Sequence, residues 1–245
     1  MTTVVVIGAT GQIGRLVVEQ ALADGVSVRA QTRAAARART VLPEGAEVYE
    51  ADPTDAATLC PLLADADAVV LTHGTDSDGH GGRTFYDVVV AVLAATAEAP
   101  GTRLALMTSM NVSRVPADYE FLAWKRRAER LLRASGRPYA IVRPGWFGYQ
   151  DAADHRIELL QGDHVTSARG VDRRHVAQVL LAGVHAADFP GRTVEVFSAP
   201  GEAVDDVVAL LAATRPDEPG AGRGIDDTDE VPLPDEPADV QRDLS

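Results

Sequence analysis

The residues near the start of the chain that point most clearly to chemistry are the glycines at 8, 11 and 14, which follow the β-branched run Val4–Ile7. Glycine at these spacings permits a tight turn, close approach of a pyrophosphate to the backbone, and close helix–strand packing. The helix that follows also offers unpaired N–H groups and its positive dipole end to phosphates. The segment therefore predicts a dinucleotide site. Its predicted residues are Gly8, Thr10, Gly11, Gln12, Ile13 and Gly14.

The end of the second predicted strand bears on which dinucleotide binds. Strand Val26–Gln31 is followed by Arg33, and Arg37 lies one helical turn later. An arginine there can pair with a ribose 2′-phosphate, whereas a carboxylate would repel it, so the sequence favours NADP(H) over NAD(H). The alternative is that the two arginines form a solvated basic face. Asp52 is placed to reach the adenine amino group, or to form a simple turn with Pro53.

These residues must be positioned by an alternation of strands and helices. Near-continuous apolar strands that alternate with amphipathic helices predict an α/β fold of the Rossmann type, a doubly wound parallel sheet with helices on both faces. Ligands then bind at the carboxyl ends of the strands. The predicted strands are Val4–Ile7, Val26–Gln31, Ala46–Glu50, Ala68–Thr72, Arg103–Thr108, Tyr139–Arg143 and Arg192–Ser198.

The pattern divides the chain into three parts: a cofactor-binding core over 1–150, a smaller substrate-pocket portion of the same domain over 151–214, and an acidic tail over 215–245. In the second part, Asp172 could cap a helix that runs through Ala187. Residues 216–245 hold ten acidic side chains, two basic side chains and five prolines. Such a segment buries little apolar surface against its ordering entropy, so we expect a solvated tail. The alternative is a segment that docks on a partner subunit or caps the site.

Composition narrows the class of protein. The formal net charge of −13 argues against nucleic-acid binding. The longest apolar stretch, Val88–Ala97, is too short to span a bilayer. Cys60 is the single cysteine and is expected to be a buried structural thiol. The chain begins directly with a strand pattern and no basic leader, so a cytoplasmic location is expected. Both a monomer and a homo-oligomer remain open.

Several segments together resemble the short-chain dehydrogenase/reductase superfamily. The similarity is closest to its atypical, NmrA-like or NAD(P)H-binding branch, which includes enzymes of the flavin/biliverdin reductase type. It covers roughly residues 3–200 and is specific for the superfamily but not for a substrate. The segments that carry it are 8–14, 106–110, 124–129, 135–139 and 141–147.

In the catalytic branches of that superfamily, a serine or threonine works with a Tyr-x-x-x-Lys pair. The resemblance places Ser109 beside the nicotinamide and assigns Lys125 to the cofactor ribose; the alternative for Ser109 is a capping hydroxyl. Phe121 stands where the tyrosine is expected, four residues before Lys125, and it has no proton to transfer. Tyr119 lies on a different helical face. Ordinary alcohol–ketone dehydrogenation is therefore disfavoured, whereas acceptors that delocalise charge into a ring can take a proton from water.

Further residues are candidates for the pocket. His73 follows the fourth predicted strand and could contact the cofactor or substrate, or act as a proton donor; a surface-loop histidine is the favoured interpretation. The segment Asp76–Gly82 includes His80 and suggests a mobile glycine-rich loop rather than a metal site, so no metal is expected. Aromatic side chains after Pro144 could stack on a planar substrate or complete the core. The predicted substrate-binding residues are Met110, Phe121, Trp146, Phe147 and Tyr149.

The leading functional hypothesis is an NADPH-dependent reductase of a conjugated or aromatic small molecule, of quinone, flavin or enone type. Two alternatives stay open. One is a non-catalytic NAD(P) sensor of the NmrA-like kind, which Phe121 supports. The other is an isomerase or lyase that retains its cofactor in specialised biosynthesis.

Overall fold

The computed structural model describes residues 2–74, 81–114, 119–165, 167–185, 191–220, 222–228 and 231–245. The glycine-rich segment that contains His80 lies mostly outside these residues. Ten strands are described. They are β1 (Thr3–Ile7), β2 (Ser27–Thr32), β3 (Glu47–Glu50), β4 (Ala68–Leu71), β5 (Arg103–Met107), β6 (Tyr139–Pro144), β7 (Trp146–Phe147), β8 (Arg156–Leu160), β9 (Gly170–Val171) and β10 (Arg192–Ala199).

Helices separate most of these strands, as the apolar periodicity predicts. Asp172 accepts a hydrogen bond from the Arg174 N–H at 2.7 Å, which confirms the predicted cap of the helix after β9. The helices are α1 (Gln12–Ala23), α2 (Ala35–Val41), α3 (Ala56–Leu63), α4 (Gly81–Ala95), α5 (Glu120–Ala134), α6 (Arg173–His185), α7 (Val207–Ala212) and α8 (Ala238–Asp243).

Eight strands form one sheet in the order β3-β2-β1-β4-β5-β6-β10-β8, and every pairing except that of β8 with β10 is parallel. The predicted doubly wound fold is confirmed. The strand order reverses between β1 and β4, where Ile7 pairs with Leu71. The segments that follow these two residues therefore share one crevice, which is where such sheets bind ligands.

Apolar side chains fill both faces of the sheet. Helices α1 and α6 pack on one face around Val17, Val18 and Leu180, while α3, α4 and α5 cover the other around Leu59 and Val88. All five of these side chains are fully buried. Residues on the central strands are apolar on both faces because both faces are covered.

Three features after residue 145 escaped sequence analysis. Strand β8 pairs antiparallel with β10 at one edge of the sheet, and β7 pairs with β9 in a separate two-stranded sheet. Helices α7 and α8 were also missed. These elements are two to six residues long and carry too few positions to reveal a period.

Two expectations about burial are wrong. Cys60 is exposed rather than buried, because it lies on the outer side of α3. The C-terminal tail (residues 215–245) is not a solvated segment. Its side chains Asp217, Asp227 and Glu236 are buried, and Val240 of α8 is completely enclosed among apolar residues of the α4–α5 face. Burial of such a valine contributes about 1.5–3 kcal/mol.

Candidate functional site

The glycine turn lies at the crevice between β1 and β4, and neighbouring backbone atoms leave no room for a side chain at two of its glycines. Gly8 has a φ of +80°, and a Cβ there would lie 2.9 Å from the Cα of His73. A Cβ at Gly14 would overlap the Gly8 carbonyl oxygen. Both positions therefore require glycine for packing, which holds the start of α1 against the sheet.

Gly11 differs from the other two glycines because it faces outward. It is exposed, and its N–H donates to the Gly8 carbonyl at 3.0 Å. It precedes α1 as the capping residue without a side-chain hydrogen bond. The first N–H groups of a helix have no intrahelical partner, and no described side chain caps them here. This open, positive helix end fits a dinucleotide pyrophosphate, which Thr10, Gly11, Gln12 and Ile13 would hold.

Gln31, which the sequence analysis overlooked, fixes the turn from below. Its Oε1 accepts the Gly8 N–H at 3.0 Å, and its Nε2 donates to the Ala51 carbonyl at 2.7 Å. The Thr72 hydroxyl donates a further hydrogen bond to the Ile7 carbonyl at 3.0 Å. A polar residue at the buried end of a strand is a signal that could have identified Gln31.

The predicted adenosine end of the site lies beyond β2 and β3. Arg33 and Asp52 are both exposed, and they lie close enough for the charge of Arg33 to act on the Asp52 carboxyl. Asp52 accepts two hydrogen bonds from Thr54, at 2.9 and 2.7 Å, which lower the pKa of its carboxyl together with the charge of Arg33. Asp52 therefore forms the simple turn that was its alternative role. The Glu50 carboxylate accepts the Ala35 N–H at 2.8 Å and caps α2.

Lys125, Ser109 and Phe121 come together, as the resemblance implies. The Lys125 Nζ donates to the Thr108 carbonyl at 3.3 Å and to Ser109 Oγ at 3.4 Å. The same Nζ lies 4.4 Å from the centroid of the Phe121 ring and 5.4 Å from that of Phe85. Burial lowers the pKa of Lys125 to about 8, against the opposing charge of Glu129.

His73 is buried, so the interpretation as a surface-loop histidine is wrong. Its Nε2 bonds the Phe85 carbonyl at 3.1 Å and its ring packs on that of Phe85, with centroids 4.5 Å apart. Nε2 therefore carries the ring proton, and Nδ1 is buried without a hydrogen-bond partner among the described residues. Burial lowers the pKa of His73 to about 4. A neutral ring whose only proton is engaged packs beside the crevice, and this geometry does not favour the proton-donor role.

A buried charge network lies directly behind Lys125. Thr108 Oγ1 donates to Glu129 at 2.6 Å, and Glu129 accepts two bonds from Arg143, at 3.0 and 2.6 Å. Asp227 of the C-terminal tail pairs with the other side of the Arg143 guanidinium at 2.8 and 2.7 Å. Burial alone would raise the pKa of Glu129, but Arg143 and Arg133 together lower it. The network fixes the end of β5 that presents Ser109.

The predicted substrate-binding residues fall into two groups. Trp146 and Tyr149 are 52% and 64% exposed, and their rings lie 6.0 Å apart. Phe121 is 41% exposed and faces Lys125. Met110 is buried, and its N–H donates to the Pro144 carbonyl. The exposed aromatic rings are available to a planar ligand, whereas Met110 packs in the interior.

Comparison with known proteins identifies the family. The model of a family described as NAD(P)H-binding matches residues 8–187. The (4-alkanoyl-5-oxo-2,5-dihydrofuran-3-yl)methyl phosphate reductase of Streptomyces griseus is 32% identical over an alignment of 203 positions, which covers 79% of this chain and 67% of that protein. The chloroplastic protein TIC 62 of Arabidopsis thaliana is 27% identical over an alignment of 272 positions, and the alignment covers 96% of this chain. The chain spans only 42% of the length of TIC 62.

Solved structures share the fold. The anaerobillin reductase ChuY of Escherichia coli O157:H7 superposes with a TM-score of 0.64 at 21% identity, covering 83% of this chain and 100% of that one. Within the described residues, no helix has the length and apolar character that crossing a membrane requires.

Proposed function

The chain belongs to the NAD(P)H-binding family, and from that premise we propose that it is an NADPH-dependent reductase of a conjugated or aromatic small molecule. The observation that carries the proposal is the contact of the Lys125 ammonium with Ser109 Oγ on one side and the Phe121 ring on the other. These contacts are consistent with a short-chain dehydrogenase/reductase site in which a phenyl ring replaces the proton-donating phenol.

Each residue of the site then has a defined task. The glycine turn binds the pyrophosphate, Arg33 pairs with the 2′-phosphate, and Lys125 holds the ribose next to the nicotinamide. Ser109 orients the acceptor from the end of β5. When bound, the cofactor supplies a hydride. The protein contributes position and electrostatics rather than an acid, because Phe121 has no proton and His73 keeps its own.

The missing acid selects the substrate class. An acceptor whose negative charge spreads over a conjugated system is a weak base and takes its proton from water. Quinones, flavins and enones meet this condition, whereas an isolated ketone does not. The name of the Streptomyces griseus relative describes an oxo-dihydrofuran substrate, which supports a conjugated acceptor. Trp146 and Tyr149 offer exposed rings for stacking on such a substrate.

The experiment that tests the proposal is a screen of quinones, flavins, enones and simple ketones for oxidation of NADPH and of NADH. We expect turnover with conjugated acceptors, and NADPH preferred. An Arg33→Ala variant should lose NADPH affinity by about tenfold to 150-fold, equivalent to 1.5–3 kcal/mol, with little change for NADH. Tight NADPH binding with no turnover of any acceptor would instead favour a sensor.

A further inference from the structure

The small sheet formed by β7 and β9 positions an arginine at the glycine turn. Arg173 is the first residue of α6, and a single residue separates it from the end of β9. Strand β9 pairs in parallel with β7, with Phe147 opposite Val171, and the Trp146 N–H donates to the Arg169 carbonyl at 2.9 Å. These bonds fix the start of α6 relative to the segment that follows β6.

The Arg173 side chain reaches from α6 to the first residue of α1. Its Nε donates to Gln12 Oε1 at 2.8 Å, and Gln12 directly follows the capping residue Gly11. The guanidinium carbon lies 4.8 Å from the centroid of the Phe147 ring. Stacking on one side and a hydrogen bond on the other hold the guanidinium beside the open N–H groups of α1.

In the part of the chain that the structure describes, no counter-charge is paired with Arg173. No carboxylate among the described residues lies within ion-pair distance of it, and its single described hydrogen bond uses Nε. The buried arginines of α5 are different, because carboxylates of the C-terminal tail pair with them. The two Nη groups of Arg173 therefore remain available to an anion.

We propose that Arg173 is a pyrophosphate-binding residue, which contacts the dinucleotide diphosphate from the side opposite the glycine turn. The inference rests on the proposed function, since it requires a dinucleotide on that turn. A planar guanidinium matches two phosphate oxygens at once, and the positive end of α1 favours the same anion. Phe147, predicted to bind substrate, then acts as the support on which Arg173 is stacked.

The test compares Arg173→Met with Arg174→Met. The first keeps an unbranched, flexible side chain at this position but removes the guanidinium, its charge and its hydrogen bond to Gln12. The second removes an exposed charge from the next residue and serves as the matched control. Calorimetry measures the affinity for whichever of NADPH and NADH binds the wild-type chain more tightly. Ligand-observed NMR measures the affinity for adenosine, which has no phosphate, and thermal unfolding checks the fold of each variant.

We expect Arg173→Met to weaken dinucleotide binding at least tenfold, to leave adenosine binding and the unfolding temperature unchanged, and Arg174→Met to alter none of these. Arg173→Lys should recover part of the loss. Equal dinucleotide affinity in wild type and Arg173→Met would overturn the inference, as would an equal loss for adenosine. A wild-type chain that binds neither dinucleotide would instead refute the proposed function.

Discussion

The start of α1 and the arginine-rich side of α5 are both strongly positive, yet they are built in opposite ways. At α1 the positive groups are backbone N–H groups and Arg173, and no described carboxylate neutralises them. On α5, Arg127 is buried, Arg130 and Arg133 are largely buried, and all three pair with acidic residues of the C-terminal tail. The comparison teaches that a positive group without a carboxylate partner is left available to a ligand, whereas a positive group paired with a carboxylate holds two segments of the fold together.

The largest effect should come from breaking the paired region. Glu236 is buried against Arg127 at 2.6 Å and Arg130 at 3.1 Å. Glu236→Ala leaves buried guanidinium groups without their carboxylate, and we expect a loss of about 3–5 kcal/mol in the free energy of unfolding. Urea denaturation measures it. Glu218→Ala removes the same charge from an exposed site of the tail and should unfold like wild type. Equal losses in both variants would mean that net charge, rather than pairing, sets the stability.

Substitution at the start of α1 should change the affinity for the cofactor rather than the stability of the fold. Gly11 has an extended backbone that valine tolerates, and its Cβ would meet only the Gly8 carbonyl, at 3.2 Å. Gly11→Val places a branched side chain in the proposed pyrophosphate site, so cofactor affinity should fall at least ~100-fold, about 2.7 kcal/mol. Calorimetry on the folded variant measures this. A variant that unfolds early but binds normally would contradict the division between the two regions.

Lys125 belongs to α5 but lies in the proposed cofactor site, next to Thr108 of the buried charge network. The dependence of activity on pH is a third test. Burial lowers the pKa of this amine to about 8, so its charged form is present below that pH and lost above it. The value of kcat/KM should therefore fall as the pH rises through about 8, approaching tenfold per pH unit. Lys125→Arg keeps the charge at every accessible pH. The alkaline fall should disappear in that variant, and an identical fall in both proteins would assign it to another group.

The smallest effect is expected from Phe121→Tyr. Tyrosine has nearly the volume of phenylalanine, and this ring is 41% exposed, so the hydroxyl finds water. If the native acceptor needs no acid, native activity should stay within roughly tenfold, under about 1.4 kcal/mol of barrier, while weak carbonyl reduction emerges. Steady-state kinetics with a quinone and a ketone measure both. A large gain with the native acceptor would show that its proton does come from the protein.

The longer strands and helices, which contain enough residues to show a periodic apolar pattern, were predictable from the sequence. The strands of the parallel sheet and helix α6 lie within one or two residues of their expected bounds, because each carries enough apolar positions to show its pattern. The glycine turn and the meeting of Ser109, Phe121 and Lys125 followed from local spacing and from the resemblance.

Long-range pairing was not predictable. The sequence predicted solvated acidic residues in the tail because their partners on α5 lie about a hundred positions away along the chain. Glu236 and Arg127, for example, are 109 residues apart. Likewise, no local pattern reveals the contact of Arg173 with the glycine turn, whereas the polar Gln31 at the buried end of β2 was a signal that the sequence analysis overlooked. His73 was misjudged because its burial depends on Phe85 of α4, which closes over it.

The docking of α8 has a consequence for the order of events in folding. The hydroxyl of Tyr86 donates to Asp243 at 2.9 Å across 157 residues of chain, and Arg143 pairs with Asp227 across 84. Closing loops of this length costs entropy before any contact offsets that cost, so we expect these contacts to form after the sheet and its helices. Interactions absent from the transition state barely alter the folding rate and instead slow unfolding. We therefore expect the docked C-terminal tail to slow unfolding, and so to prolong the lifetime of the folded molecule, with little effect on the folding rate.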